Sequence, residues 1–154
     1  MSVATTQSVL DAILAAFRGV DGAGGYTYDL SADQQVRGGR YARPPASAPF
    51  VCVWLDQIQD SVGPSMGEYS ETALFSMRGW VSASPAHPED RQVRAHALLD
   101  DLRRALRADV TLGGLVLTCE LALRVLTEDP VSPEKASAYG QVLGILTIQW
   151  TELV

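Results

Sequence analysis

The stretch from Pro88 to Val116 sets the tightest limit on the fold. An amphipathic segment, Glu-Asp-Arg-Gln-Val-Arg-Ala-His-Ala-Leu-Leu-Asp-Asp-Leu-Arg-Arg-Ala-Leu, runs into Asp109-Val110-Thr111-Leu112-Gly113-Gly114, and an alternating run begins at Leu115. Ala95, Leu98, Leu99, Leu102, Ala105 and Leu106 recur at helical spacing and form one apolar stripe, which needs cover to be stable in water. Arg94, Asp100, Asp101, Arg103, Arg104 and Arg107 make the opposite arc. Asp100 and Asp101 stand four and three residues before Arg104, the spacing of ion pairs on a solvated face. Pro88, Glu89 and Asp90 suit a first helical turn, where a missing N–H costs nothing and negative charge meets the dipole. Gly113-Gly114 supply freedom for a sharp turn. Leu115, Leu117, Cys119, Leu121 and Leu123 then alternate with Val116, Thr118, Glu120, Ala122 and Arg124, which predicts a strand over 115–124. A helix stripe joined by a short turn to a one-sided strand implies a helix lying on a sheet.

The remaining elements fit that plan. Val9, Ile13, Ala16, Phe17 and Val20 predict a first helix over 6–17, capped by Thr5 or Thr6 and stopped by Asp21-Gly22-Ala23-Gly24-Gly25. Tyr26-Thr27-Tyr28-Asp29-Leu30 reads as a short strand, and residues 31–48 as a long loop rich in Gly, Arg and Pro. Phe50-Val51-Cys52-Val53-Trp54-Leu55 is continuously apolar, as in a central strand buried on both faces. A Gly/Pro/Ser turn follows at 61–67. The strand over 71–82 sets Phe75, Met77 and Val81 on one face and Ser76, Arg78 and Trp80 on the other. Residues 127–140 make a second long loop, and 142–151 a last strand with Leu146, Ile148 and Trp150 on one face. Strands come in runs and do not alternate with helices. The expected class is α+β: a mostly antiparallel sheet of about five strands with two helices packed on one face, as a single domain over 1–154.

Composition narrows the function classes. The formal charge is -6, and the cations are eleven Arg and one Lys, Lys135. A net acidic chain argues against binding that works by neutralising phosphates. Cys52 and Cys119 lie inside apolar runs without a CxxC spacing and read as reduced core residues. No apolar run reaches the length of a membrane span, and the N-terminal residues lack a basic segment followed by an apolar one, so the expectation is a protein made and kept in the cytoplasm unless an assembly carries it out.

No catalytic constellation stands out. Gly63-Pro64-Ser65-Met66-Gly67 matches G-x-S-x-G, yet a strand follows it where a nucleophile elbow needs a helix. A hydrolase acting through Ser65 is the enzymatic alternative; a hairpin loop is the plainer reading. His96 and Asp100 are one helical turn apart, but no third ligand accompanies them. The Gly22–Gly25 run follows a helix and cannot cradle phosphate at a helix start. A small-ligand site between helix and sheet is a further alternative. Arg37, Arg40 and Arg43 recur every three residues around Tyr41 in a Gly- and Pro-containing loop, which reads either as a contact arm for a subunit or nucleic acid or as an ordinary solvated loop. Two loops longer than about a dozen residues in so small a domain favour an interaction role. Trp54 and Trp150 read as core; Trp80, sharing a face with Arg78, reads as an interface aromatic. Arg37, Arg40, Tyr41, Arg43 and Trp80 are therefore the candidate subunit-interface residues, with no catalytic, cofactor or metal residues assigned.

Taken together, the chain resembles the tail terminator proteins of long-tailed bacteriophages, the lambda-type minor tail protein and its relatives. The likeness spans nearly the whole length. It rests on the N-terminal helix followed by Gly25-Tyr26-x-Tyr28-Asp29-Leu30, the Pro44-Pro45 and Pro49 approach to the Phe50–Leu55 strand, and the strand ending Arg78-Gly79-Trp80-Val81. It is completed by the Ala95-to-Leu106 helix running into Leu112-Gly113-Gly114. The resemblance implies a non-enzymatic virion protein without cofactor, assembled in the host cytoplasm as a hexameric ring. The ring would end tail-tube polymerisation, meet the tail tube protein on one side and a head–tail connector protein on the other, and pass genomic DNA through its lumen without sequence-specific contact. Other phage neck proteins share much of this layout and remain the alternative.

Overall fold

The computed structural model describes residues 4–32, 34–45, 47–62, 68–84, 87–126 and 138–153. Its elements are α1 (Thr6–Arg18), β1 (Val36–Gly38), β2 (Phe50–Val62), β3 (Glu68–Ser82), α2 (Pro88–Ala108), β4 (Thr118–Val125) and β5 (Tyr139–Leu153). The strands form one sheet in the order β1-β2-β3-β5-β4, with β1 parallel to β2 and the other neighbours antiparallel. The fold is α+β, as the patterning predicts.

Both helices lie on the same face of this sheet, and glycines set how closely they approach. A Cβ at Gly38 would meet Leu10 and Leu14 of α1 at 3.5 and 3.6 Å; one at Gly79 would stand 2.9 Å from Leu98 of α2. Gly140 is tighter still, with a Cβ position 2.6 Å from the Arg91 carbonyl oxygen. Register places Gly38 opposite Val53, and Val53 opposite Met77, two residues from Gly79, so all these positions share a side. Val9, Ile13 and Phe17 of α1 and Ala95, Leu98 and Leu102 of α2 are buried with Val51, Phe75, Val81, Val142 and Leu146 of the sheet. Thr5 caps α1 in a reciprocal box: its Oγ1 accepts from the Ser8 N–H at 3.1 Å, and Ser8 Oγ accepts from the Thr5 N–H at 2.8 Å.

Several local expectations are overturned. Residues 26–30 are not a strand. The N–H groups of Thr27 and Tyr28 donate to the Asp101 carboxylate at 3.0 and 2.8 Å, and the Tyr28 hydroxyl donates to the Arg94 carbonyl oxygen at 3.2 Å. The segment is thus stitched to α2, and only an isolated bridge between Asp21 and Asp29 remains of the strand pattern. The edge strand β1 lies instead within the expected loop 31–48. Asp101 is accordingly no part of a solvated arc: it is 3% exposed. Among the described residues, α2 carries exposed ion pairs of Arg94 with Asp90 at 3.1 Å and of Arg103 with Asp100 at 3.4 Å, and the Arg104 guanidinium lies over the Tyr26 ring.

The helix-to-strand junction also departs in detail. Leu112, Gly113 and Gly114 all take positive φ (51°, 72° and 83°), and the Asp109 carboxylate accepts the Gly113 N–H at 2.6 Å. The turn therefore extends through Leu115, and β4 starts at Thr118. Val116 turns inward at 4% exposure while Leu117 is 60% exposed, so the alternation read from Leu115 holds only from Cys119 onward.

Candidate assembly surface

The sheet has a second face, which none of the described helices covers. Arg37 of β1 is registered against Cys52, Cys52 against Arg78, Arg78 against Leu143, and Leu143 against Arg124. Cross-strand partners project to the same side. One row across the sheet thus carries three arginines, on alternate strands and with Cα atoms about 10 Å apart. The next row holds Trp54, Ser76, Ile145 and Ala122. This second row, with Leu143 and Arg124 of the first, lines an open groove of about 410 Å3, in which Trp54, Leu143 and Ile145 form the apolar wall and Arg124 the margin. Ile145 is 49% exposed within it.

The lower end of this face is closed by its own aromatics. Phe50, Cys52 and Trp80 are buried together, with Tyr41, Trp54 and Tyr139 packed around them. Tyr41 meets Phe50 edge-on at 5.3 Å, and Phe50 lies 5.7 Å from Trp80. Two guanidiniums complete the cover: Arg78 stands 5.2 Å over Trp80 and Arg40 5.7 Å over Trp54. Arg78 Nε and Nη2 also donate to Gln141 Oε1 at 3.2 and 2.9 Å, which fixes that arginine in the row. Burial raises the Cys52 thiol pKa. It pushes that of Cys119 up to about 11. Both cysteines are free, Cys52 buried as expected of a core residue and Cys119 only half-buried.

The sheet also outgrows its helices. From Leu55 to Asp60 every residue of β2 is exposed. Here β2, β3 and β5 continue as a three-stranded arm, paired through Ile58–Ala73–Ile148 and Asp60–Glu71–Trp150. A register shift between Leu55 and Gln57 marks where the arm leaves the body. Leu55, Ile58 and Tyr69 are 37, 40 and 40% exposed, and register sets them on the helix-side face of the sheet, beyond the helices. Asp60 shares that face. Trp54 Nε1 donates to Asp56 at 3.0 Å, and the Ser76 hydroxyl bonds the same carboxylate, so Asp56 is held on the open face.

Four of the five residues singled out from sequence gather on or beside the open face: Arg37, Arg40, Tyr41 and Trp80. Arg43 is exposed in the same loop. Trp80 must be reassigned, since it is 1% exposed and lies under Tyr41, Phe50 and Arg78 as a core residue of that face. Trp54, read as core, is half-buried in the groove. Arg78, Arg124 and Ile145 were not singled out; the alternation that puts them on one face is legible, but the row they share requires the strand order. His96 and Asp100 are both exposed, and among the described residues no group of three His, Cys, Asp or Glu is placed to hold a metal ion. Ser65 and the loop over 127–137 lie outside the described residues. No described helix is long and apolar enough to cross a membrane. Comparison with protein-family models and with characterised proteins finds no match for the chain.

Proposed function

We propose that the protein is a structural subunit that works by self-assembly, as a tail-terminator ring at the head-proximal end of a phage tail tube. The observation that carries this reading is the arm. Six consecutive β2 residues, Leu55 to Asp60, are exposed, and apolar Leu55, Ile58 and Tyr69 are offered to water on one face. An outer strand that leaves the helix cover with apolar side chains turned to water is a surface suited to a partner. The whole-chain resemblance supplies the kind of assembly: a hexamer that caps the tube, joins it to the connector, and leaves a lumen for DNA.

The two surfaces lie on opposite faces of the sheet, the groove at Trp54 adjoining the start of the arm at Leu55. Contacts between such unlike patches are head-to-tail, and they close into a ring when the rotation permits. Light scattering on the purified chain, followed by negative-stain imaging with and without tail tubes, tests the reading. Rings that seat on tube ends are the expected result. A monomer at all concentrations that leaves tubes uncapped would overturn it.

A further inference from the structure

We infer that the arm of one copy docks on the arginine-lined open face of the next, with the Asp60 end of the arm against Arg124 and the exposed Leu55, Ile58 and Tyr69 against the Trp54–Ile145 groove. The inference rests on the ring reading and names the contact that builds it.

Charge is distributed along the strands in a way the net value conceals. Residues 50–77 and 139–153, which contain the whole arm, hold no Lys or Arg, while they hold Asp56, Asp60, Glu68, Glu71 and Glu152. Asp60 is exposed and shares a face with exposed Ile58 and Tyr69. On the opposite face, Arg37, Arg78 and Arg124 share one row, with Arg40 beside them over Trp54. The described residues place no carboxylate within ion-pair distance of Arg37, Arg40 or Arg124. The arm's docking side is apolar with Asp60, whereas the open face is apolar with four guanidiniums and also carries Asp56 against Trp54 and Glu120 on β4. Each supplies what the other lacks: apolar area to cover and an opposite charge to fix register. Because the arm's docking side is the helix side of the sheet and its target is the open side, one subunit cannot satisfy itself by folding back. A second copy can, and its own arm is then free for a third.

A polyanion such as duplex DNA is the competing occupant of the arginine row. The acidic arm is favoured because it brings apolar residues for the groove, which a phosphate backbone does not.

The test is charge reversal in the full chain. Asp60→Lys and Arg124→Glu are both at exposed positions, and circular dichroism with a thermal melt confirms that each variant folds. Each single variant is expected to lower the ring fraction at least tenfold by light scattering, and the Asp60→Lys/Arg124→Glu double variant to restore it. Rings that persist unchanged in both single variants would overturn the contact while leaving the ring reading intact. Failure of the double variant to recover would also overturn the direct pairing. Arg124→Glu that keeps its rings but loses retention of duplex DNA in a gel shift would give the row to the polyanion. A wild-type chain that never leaves the monomer would overturn both readings together.

Discussion

The body and the arm of this protein are built from the same strands, yet they obey different rules. In the body, β2, β3 and β5 are covered on one side by helices and at the lower end of the other by Tyr41, Phe50 and Trp80. Val51, Val53, Phe75, Val81 and Trp80 are 1% exposed or less. In the arm β2 runs on with Leu55 to Asp60 facing water, while Ala73 of β3 and Ile148 and Trp150 of β5 stay buried. Strand pairing is continuous through both halves, so hydrogen bonding does not distinguish them. What differs is the burial of side chains, which is where stability resides. The body therefore accounts for folding, and the arm is free to serve contact.

The sharpest way to break this comparison is to hollow the body. Trp80→Ala removes the largest side chain of the open-face cluster and is expected to cost about 3–5 kcal/mol, measured by urea denaturation. A loss below about 1 kcal/mol, the typical size of a point-mutant effect, would show that this face is not core. Next in size is Asp101. Its carboxylate receives the Thr27 and Tyr28 N–H groups while 3% exposed. Asp101→Ala should cost about 1.5–3 kcal/mol, the range for hydrogen bonds to a charged group. Asp101→Asn, which keeps one acceptor, should cost less; equal losses would point to packing as the cause.

On the arm side, Ile58→Ser is expected to leave the stability of the subunit within about 0.5 kcal/mol, as for surface substitutions, while weakening assembly in light scattering. A large loss of subunit stability would erase the distinction between body and arm. The smallest effect belongs to Asp90, whose carboxyl pKa is held below its ordinary value by the Ser84 N–H and the Arg94 side chain. A lowered folded-state value contributes stability above the ordinary 3.8 that is lost as pH falls through the folded value. The melting temperatures of wild type and Asp90→Asn should therefore differ at neutral pH and converge in acid below that point. A difference that grows on acidification would reverse the assignment.

Much of the fold is legible in the residues themselves. The stripe from Ala95 to Leu106 needs a sheet, and Val9, Ile13 and Phe17 need the same one, so two helices on one side follow from periodicity. The Thr5-Thr6 pair announces the start of α1, where the structure makes Thr5 the cap, and Gly113-Gly114 the turn after α2, because capping and left-handed backbone are local requirements. Tyr26–Leu30 shows where local pattern misleads. Its alternation suits a strand, but the long-range bonds to Asp101 outweigh a propensity worth at most about 1 kcal/mol. The same bonds explain why Asp101, placed by spacing on a solvated arc, is buried. Of the assembly surface, the loop with Arg37, Arg40 and Tyr41 is visible as a motif, whereas Arg124 is not.

By itself, then, the sequence determined the class of fold, the helix faces that must be buried, and the absence of cations from the segments that form the arm. These follow from side-chain chemistry read along the chain at periods of 3.6 and 2. Only the tertiary structure decided that Arg37, Arg78 and Arg124 stand in one row, that Trp80 is sealed, and that the strands of β2 and β3 outrun their helices. Strand order and register join residues that are 41 and 46 positions apart in the chain, and no local preference encodes such a neighbourhood.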